Sequence, residues 1–375
     1  MTSAPEHPPA GEGRALGPTR SATRRRTWAS LLALLLVLVT GFLALREPVP
    51  YATFSPGPTV NVLDEFDGKP IIEVKARKTY ADDGGLRLVT VIPSAPGEKV
   101  NLVQLVRSWI DPDVSVLPYD AVYGSDETRS TVQQQGQAQM TSSQENAVAA
   151  ALSALDIDFG AGVGVASVDP EGPSQGRLEA GDELLRVQGR RVADLEAVTR
   201  AIRGLPIGTP VRVEVRRDGT SVTERVRTVA AADDPKASAV RIGVGVCCYD
   251  FPFDVDLNIS QNIGGPSGGM MFALGIYDVL TPGSLTGGRT IAGTGEIDPQ
   301  GRVGEIGGIQ QKLVGAQDDG ARLFLVPAGN CAEALGGNYD PERMRLVKVE
   351  TLDDALSDVK AWVEDPDADL PRCTR

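Results

Sequence analysis

A chain of 375 residues, 41% of them apolar, is long enough for two or three domains with true cores. Its formal net charge of −13 argues against a nucleic-acid binder, which needs a basic face. It has one histidine, His7, in a Pro- and Gly-rich N-terminal tail, and no CxxC or CxxH spacing, so neither a histidine base nor a metal or other cofactor is expected.

The first 23 residues are rich in Pro, Gly, Ser and Thr, and a disordered tail is expected over 1–27. "RRRTW" (24–28) then runs into an uncharged stretch from Trp28 to Leu45. At about 1.5 Å per helical residue that stretch spans about 27 Å, close to the hydrocarbon core of a bilayer at about 30 Å. A transmembrane signal anchor is expected over 28–45. Arg24, Arg25 and Arg26 would keep the N-terminus cytoplasmic and send the body of the chain outward, to an extracytoplasmic location at the cell membrane. A cleaved signal peptide is the alternative, although "LALREPVP" is a poor cleavage site.

An extracytoplasmic N-terminal region is expected over 46–156. "GGLRLVTVIP" (84–93) reads as a strand with both faces apolar, and "KVNLVQLVRSWI" (99–110) as an amphipathic helix stopped by Asp111-Pro112. "QQQGQAQ" (133–139) is polar, and "SSQE" (142–145) reads as a capping box that opens the helix "NAVAAALSALDI". No chemistry is evident in this region, and whether it is a separate domain stays open.

Residues 157–230 have their own pattern. The Gly-rich segment Gly160-Ala161-Gly162-Val163 is followed by a turn at Ala180-Gly181-Asp182, the strand "ELLRV" and a second turn at Gly189. A helix with Leu195, Val198 and Ile202 on one face comes next, then a hairpin turning at Asp218-Gly219. The G-x-G-apolar loop, the L-x-x-G-D turn at Leu178–Asp182 and the following "VQG" resemble a PDZ domain. That resemblance implies peptide binding by strand addition, with Gly160, Ala161, Gly162 and Val163 catching a C-terminal carboxylate. A ligand-free β-rich spacer is the alternative.

After the polar linker "AADDPKAS" (231–238), strands alternate with helices over 239–363, an α/β pattern, before a C-terminal tail at 364–375. The four cysteines, Cys247, Cys248, Cys331 and Cys373, allow three pairings; a Cys331–Cys373 bridge would tie down the tail, and free buried thiols are the alternative.

Within the α/β segment, "NIGGPSGGMMFAL" (262–274) places Ser267 among glycines where a strand passes into a helix. The first N–H groups of a helix lack partners, so a serine there lies beside a ready oxyanion site, with Gly265 and Gly268 the nearest candidates. A plain serine cap is the bland alternative. "EIGGIQQKLVGAQDDGA" (305–321) supplies the base: Ile309, Leu313 and Ala316 mark one helical stripe, and Lys312 lies on it. An inward lysine loses hydration and its pKa falls, so it can take a proton from serine. A lysine that snorkels to water is the alternative.

From the serine motif through "IAGTGEI" to "GRVGEIGGIQQK", residues 262–327 closely resemble the proteolytic domain of Lon-type serine proteases. The resemblance implies a Ser-Lys dyad of Ser267 and Lys312, with Thr294 orienting the amine. Where that family usually has alanine after the serine, this chain has Gly268. No Walker motif is present, so ATP is not expected to be used. The order of anchor, PDZ-like module and Lon-type domain resembles the membrane-bound PDZ-containing Lon-like proteases of bacteria. It implies a serine endopeptidase acting on extracytoplasmic proteins or peptides, in a family that commonly forms homo-oligomeric rings. A catalytically silent, membrane-anchored PDZ scaffold is the rival.

Overall fold

The computed structural model describes residues 20–374 apart from 82, 99, 125–126, 193, 218 and 232–235. His7 and the tail through residue 19 lie outside the described residues. Helix α1 (Arg20–Arg46) begins earlier than expected, so the last residues of the tail assigned to 1–27 are helical. Its apolar side chains, Trp28, Leu35 and Phe42 among them, are exposed. Among the described residues, no helix is long and apolar enough to cross a membrane.

Strand β1 (Tyr51–Asn61) is followed by β2 (Gly85–Pro93), helix α2 (Leu102–Ile110), strand β3 (Ser115–Pro118) and helix α3 (Arg129–Ala154). Asn101 and Gln104 cap α2 reciprocally, and Asp111 ends it at the expected place. The opening of α3 departs from expectation. It is capped at Thr128 by a box with Thr131, so both "QQQGQAQ" and "SSQE" lie inside one helix. Met140, Ala147, Val148 and Ala151 are buried there, and this tertiary burial outweighs the weak helical preference of Ser, Thr and Gly.

The next unit contains β4 (Gly160–Val168), β5 (Glu183–Val187), helix α4 (Leu195–Arg203), β6 (Pro210–Arg217), β7 (Thr220–Arg227) and β8 (Ile242–Asp250). These strands form an antiparallel sheet in the order β7-β6-β5-β4-β8. Its core is valine-rich, with Val165, Leu184, Val213 and Val226 packed against Val198 and Ile202 of α4. The domain boundary drawn at Ala239 is therefore corrected. Strand β8, which lies within the expected α/β segment 239–363, completes this smaller sheet by pairing with β4, from Ile242 opposite Val168 to Asp250 opposite Gly160. In the expected linker, Val229–Ala230 pairs with Ser238–Ala239, and 232–235 lie outside the described residues.

The remaining elements are α5 (Gly269–Leu280), β9 (Thr290–Gly293), the short pair β10 (Glu296–Ile297) and β11 (Val303–Gly304), α6 (Ile309–Asp318), β12 (Leu323–Pro327), β13 (Arg345–Val349) and α7 (Leu352–Glu364). The large sheet runs β13-β12-β9-β2-β1-β3, with β2, β9, β12 and β13 parallel and β1 antiparallel to its neighbours. Half of it thus comes from 46–156, which is an integral part of the α/β layer rather than a separate domain.

Both faces of the sheet are covered, as the apolar run in "GGLRLVTVIP" implies. Leu86, Leu88, Ile291 and Leu325 face a cluster with α3, α5 and α7. Val89, Ala292, Phe324 and Val326 face a second cluster with α6. A Cys331–Cys373 disulfide pins the C-terminal tail beneath that second cluster, and Cys247 is bonded to its neighbour Cys248.

Candidate active site

Ser267 lies immediately before α5. The helix is capped by Gly268 without any side-chain hydrogen bond, so the serine hydroxyl is not used as a cap. The chain reverses through Gly265, whose φ of +89° favours glycine. The amide of Gly295 donates to the Ser267 carbonyl at 2.8 Å, tying the serine to the turn after β9. Gly268 has its own packing reason: a Cβ there would stand 2.4 Å from Leu88 Cδ1, so glycine lets the sheet side chain fill the space under the serine.

Lys312 occupies the stripe its spacing indicates. Ile309, Leu313 and Ala316 are fully buried, and Lys312 is 2% exposed. Its amine donates to Thr294 Oγ1 at 3.1 Å, and the Thr294 hydroxyl donates to the Ser267 carbonyl at 3.0 Å. One hydroxyl thus accepts from the amine and donates to the serine residue, using its single donor and one of its two acceptor lone pairs. Burial lowers the Lys312 pKa from 10.5 to about 8, with Glu296 opposing the fall. Among the described residues no direct hydrogen bond links Ser267 Oγ to Lys312 Nζ; catalytic contacts often tighten only when substrate binds.

The oxyanion expectation divides. The Gly265 amide donates to the Gly136 carbonyl at 2.9 Å, so it is engaged and is not a candidate donor. Among the described residues, the amides of Ser267 and Gly268 have no hydrogen-bond partner. They lie at the positive end of α5, suited to a developing negative charge.

Two residues of α3 hold the serine loop, and neither belongs to a recognisable motif. Gly136, in the polar stretch, accepts the Gly265 amide at its carbonyl, and the close approach depends on Gly264, where a Cβ would stand 3.1–3.3 Å from Gly136 backbone atoms. Ser143 Oγ donates to the Pro266 carbonyl at 2.9 Å.

In the smaller sheet, the segment expected as a loop is strand. Gly160, Ala161, Gly162 and Val163 are the first half of β4, paired with β8 through Gly160–Asp250, Gly162–Cys247 and Val163–Val246. The G-x-G spacing suggests a loop, but Gly in strand register leaves the backbone free to pair closely. The outer strand beside α4 is β8.

Residues 130–228 match the PDZ domain family, and residues 260–360 match the Lon protease (S16) C-terminal proteolytic domain. The first match begins inside α3, which packs on α5, and stops short of β8. The Lon protease of Campylobacter concisus is 33% identical over 109 residues, covering 28% of this chain and 13% of that protein. Lon protease 2 of Herpetosiphon aurantiacus is 31% identical over 132 residues, covering 34% of this chain and 16% of that protein. The chain therefore spans only 13% and 16% of the length of these relatives. Among solved structures, the PDZ domain of an SdrC-like protein from Listeria innocua aligns at 20% identity and a TM-score of 0.21, covering 22% of this chain and 92% of that one. The chain carries a PDZ domain and, after it, a Lon-type serine-peptidase domain.

Proposed function

We propose that the protein is a serine endopeptidase using a Ser267–Lys312 dyad. The observation that carries this reading is the buried amine of Lys312 joined through Thr294 to the Ser267 backbone. Neutral Lys312 takes the Ser267 proton as Oγ attacks the peptide carbonyl. The amides of Ser267 and Gly268 receive the oxyanion. Lys312 then gives its proton to the leaving amine, and water deacylates the ester while the lysine again accepts a proton. None of these steps needs ATP. Substrates are unfolded protein segments or peptides.

The PDZ domain would recruit substrate termini by strand addition, and β8 next to α4 is the edge that suits this role. For location, the uncharged run from Trp28 to Leu45 supports an anchor with the enzyme outside the cytoplasm. The exposed Val103, Val106, Trp109 and Ile110 of α2, a helix that touches α1, suit a position at a lipid surface. Self-assembly into a ring would follow the resemblance to Lon-type domains.

Casein hydrolysis by the full chain in non-ionic detergent tests the dyad. Ser267→Ala and Lys312→Ala should both abolish it, and a fluorophosphonate probe should label Ser267 at alkaline pH. Full activity in either variant, or an intact protein with no activity and no labelling, would sink the reading in favour of the silent scaffold.

A further inference from the structure

The outer face of the PDZ sheet gathers positive charge on an otherwise acidic chain. Arg212 of β6 and Arg225 of β7 are direct cross-strand partners, and Arg227 is opposite Pro210 two positions along. With Arg177 they line a hollow of about 740 Å³.

Like charges directly opposite on a sheet are destabilising. Three neighbouring arginines of the same strands do have an acid: Arg186 with Glu214 at 3.1 Å, Arg216 with Glu183 at 2.6 Å and Arg217 with Asp182 at 2.7 Å. Arg212 and Arg225 have no acidic partner among the described residues. Arg227 donates only to the Gly208 carbonyl, at 3.1 Å, and Arg177 reaches Glu224 at 4.0 Å. In a chain of net charge −13, acids were plentiful for this face, yet the facing pair stands without one.

We infer that this hollow binds a phosphate group, a phosphodiester being the form its volume admits with substituents. The tetrahedral oxygens of phosphate can accept from several guanidinium forks at once, whereas one carboxylate is saturated by one or two. The ligand removes the repulsion between Arg212 and Arg225, so binding and fold stability are linked. The site lies apart from Ser267 and does not depend on the peptidase reading.

Thermal melting of the full chain in non-ionic detergent tests this, with inorganic phosphate against chloride at matched ionic strength. Phosphate should raise the wild-type melting temperature, and the Arg212→Gln/Arg225→Gln variant should lose that rise while keeping wild-type casein hydrolysis. Without phosphate at low salt, Arg225→Gln alone should melt above wild type, because one of two facing charges is gone. Mixed micelles of phosphatidylglycerol, compared with phosphatidylcholine, and soluble glycerophosphate distinguish a lipid headgroup from a free phosphodiester; a rise with either supports the site. No rise specific to phosphate, or an equal rise in the double variant, overturns it. Stronger stabilisation by polyglutamate than by phosphate would assign the face to an acidic protein and overturn it as well.

Discussion

In the proposed dyad, Lys312 serves chemistry at the expense of stability. Holding its amine at about 8 rather than 10.5 corresponds to about 3 kcal/mol against the charged form. About one amine in ten is then neutral at pH 7, so kcat/KM should rise with pH and level off above about 8. Because the folded pKa lies below the unfolded one, the penalty is fully present below about 8. It is relieved as pH rises towards 10.5, where the unfolded chain holds more protons. Lys312→Met should therefore lose hydrolysis and gain up to about 3 kcal/mol at pH 7, read from the denaturation midpoint. Lys312→Arg should be inactive, since Arg cannot become neutral. Thr294→Val should lower kcat by about 100-fold with KM nearly unchanged, because the amine loses its orienting partner. The placement of Ser267 ahead of a helix and of Lys312 on a buried stripe was legible in the sequence, because the glycine motif and the helical spacing are local. That the Gly265 amide is already taken was not legible, since its partner, Gly136, is more than 100 positions upstream.

Between elements, the contact of α3 with the serine loop is asymmetric. A Cβ on Gly136 would lie 3.6–3.9 Å from the loop, an ordinary contact. Gly136→Ala should thus keep activity and gain up to about 1 kcal/mol from helix propensity, measured by thermal melting. Gly264→Ala would press on the Gly136 backbone at 3.1–3.3 Å, which neither segment can yield cheaply. Its hydrolysis rate should fall even where melting changes little. Gly268→Ala should destabilise by about 1–3 kcal/mol through overpacking against Leu88. Leu88→Val should recover part of that loss, measured as a double-mutant cycle. The start of α3 was misjudged because capping boxes are common by chance, while burial against α5 extends the helix through polar sequence.

On the scale of the whole molecule, the large sheet joins distant parts of the chain. β2 from the N-terminal half pairs with β9 and carries β1 and β3 beyond it, and α3 packs on α5. A fragment comprising 239–375 should therefore fail to fold, giving no cooperative thermal transition and no hydrolysis. Reducing the Cys331–Cys373 bridge opens a link between residues 42 apart. Cys331→Ser/Cys373→Ser should cost about 4 kcal/mol in a chain-entropy picture, measured by denaturant unfolding under oxidising conditions.

Local pattern determined the serine motif, the inward lysine, the alternation of strands and helices and the end of α2 at Asp111, because each depends on residues close together in sequence. Tertiary structure alone decided that β8 completes the PDZ sheet, that 46–156 belongs to the peptidase layer and that Gly136 meets the serine loop. Those outcomes depend on which strand edges and helix faces remain to be buried once the chain has folded back on itself. No short window of sequence encodes that competition.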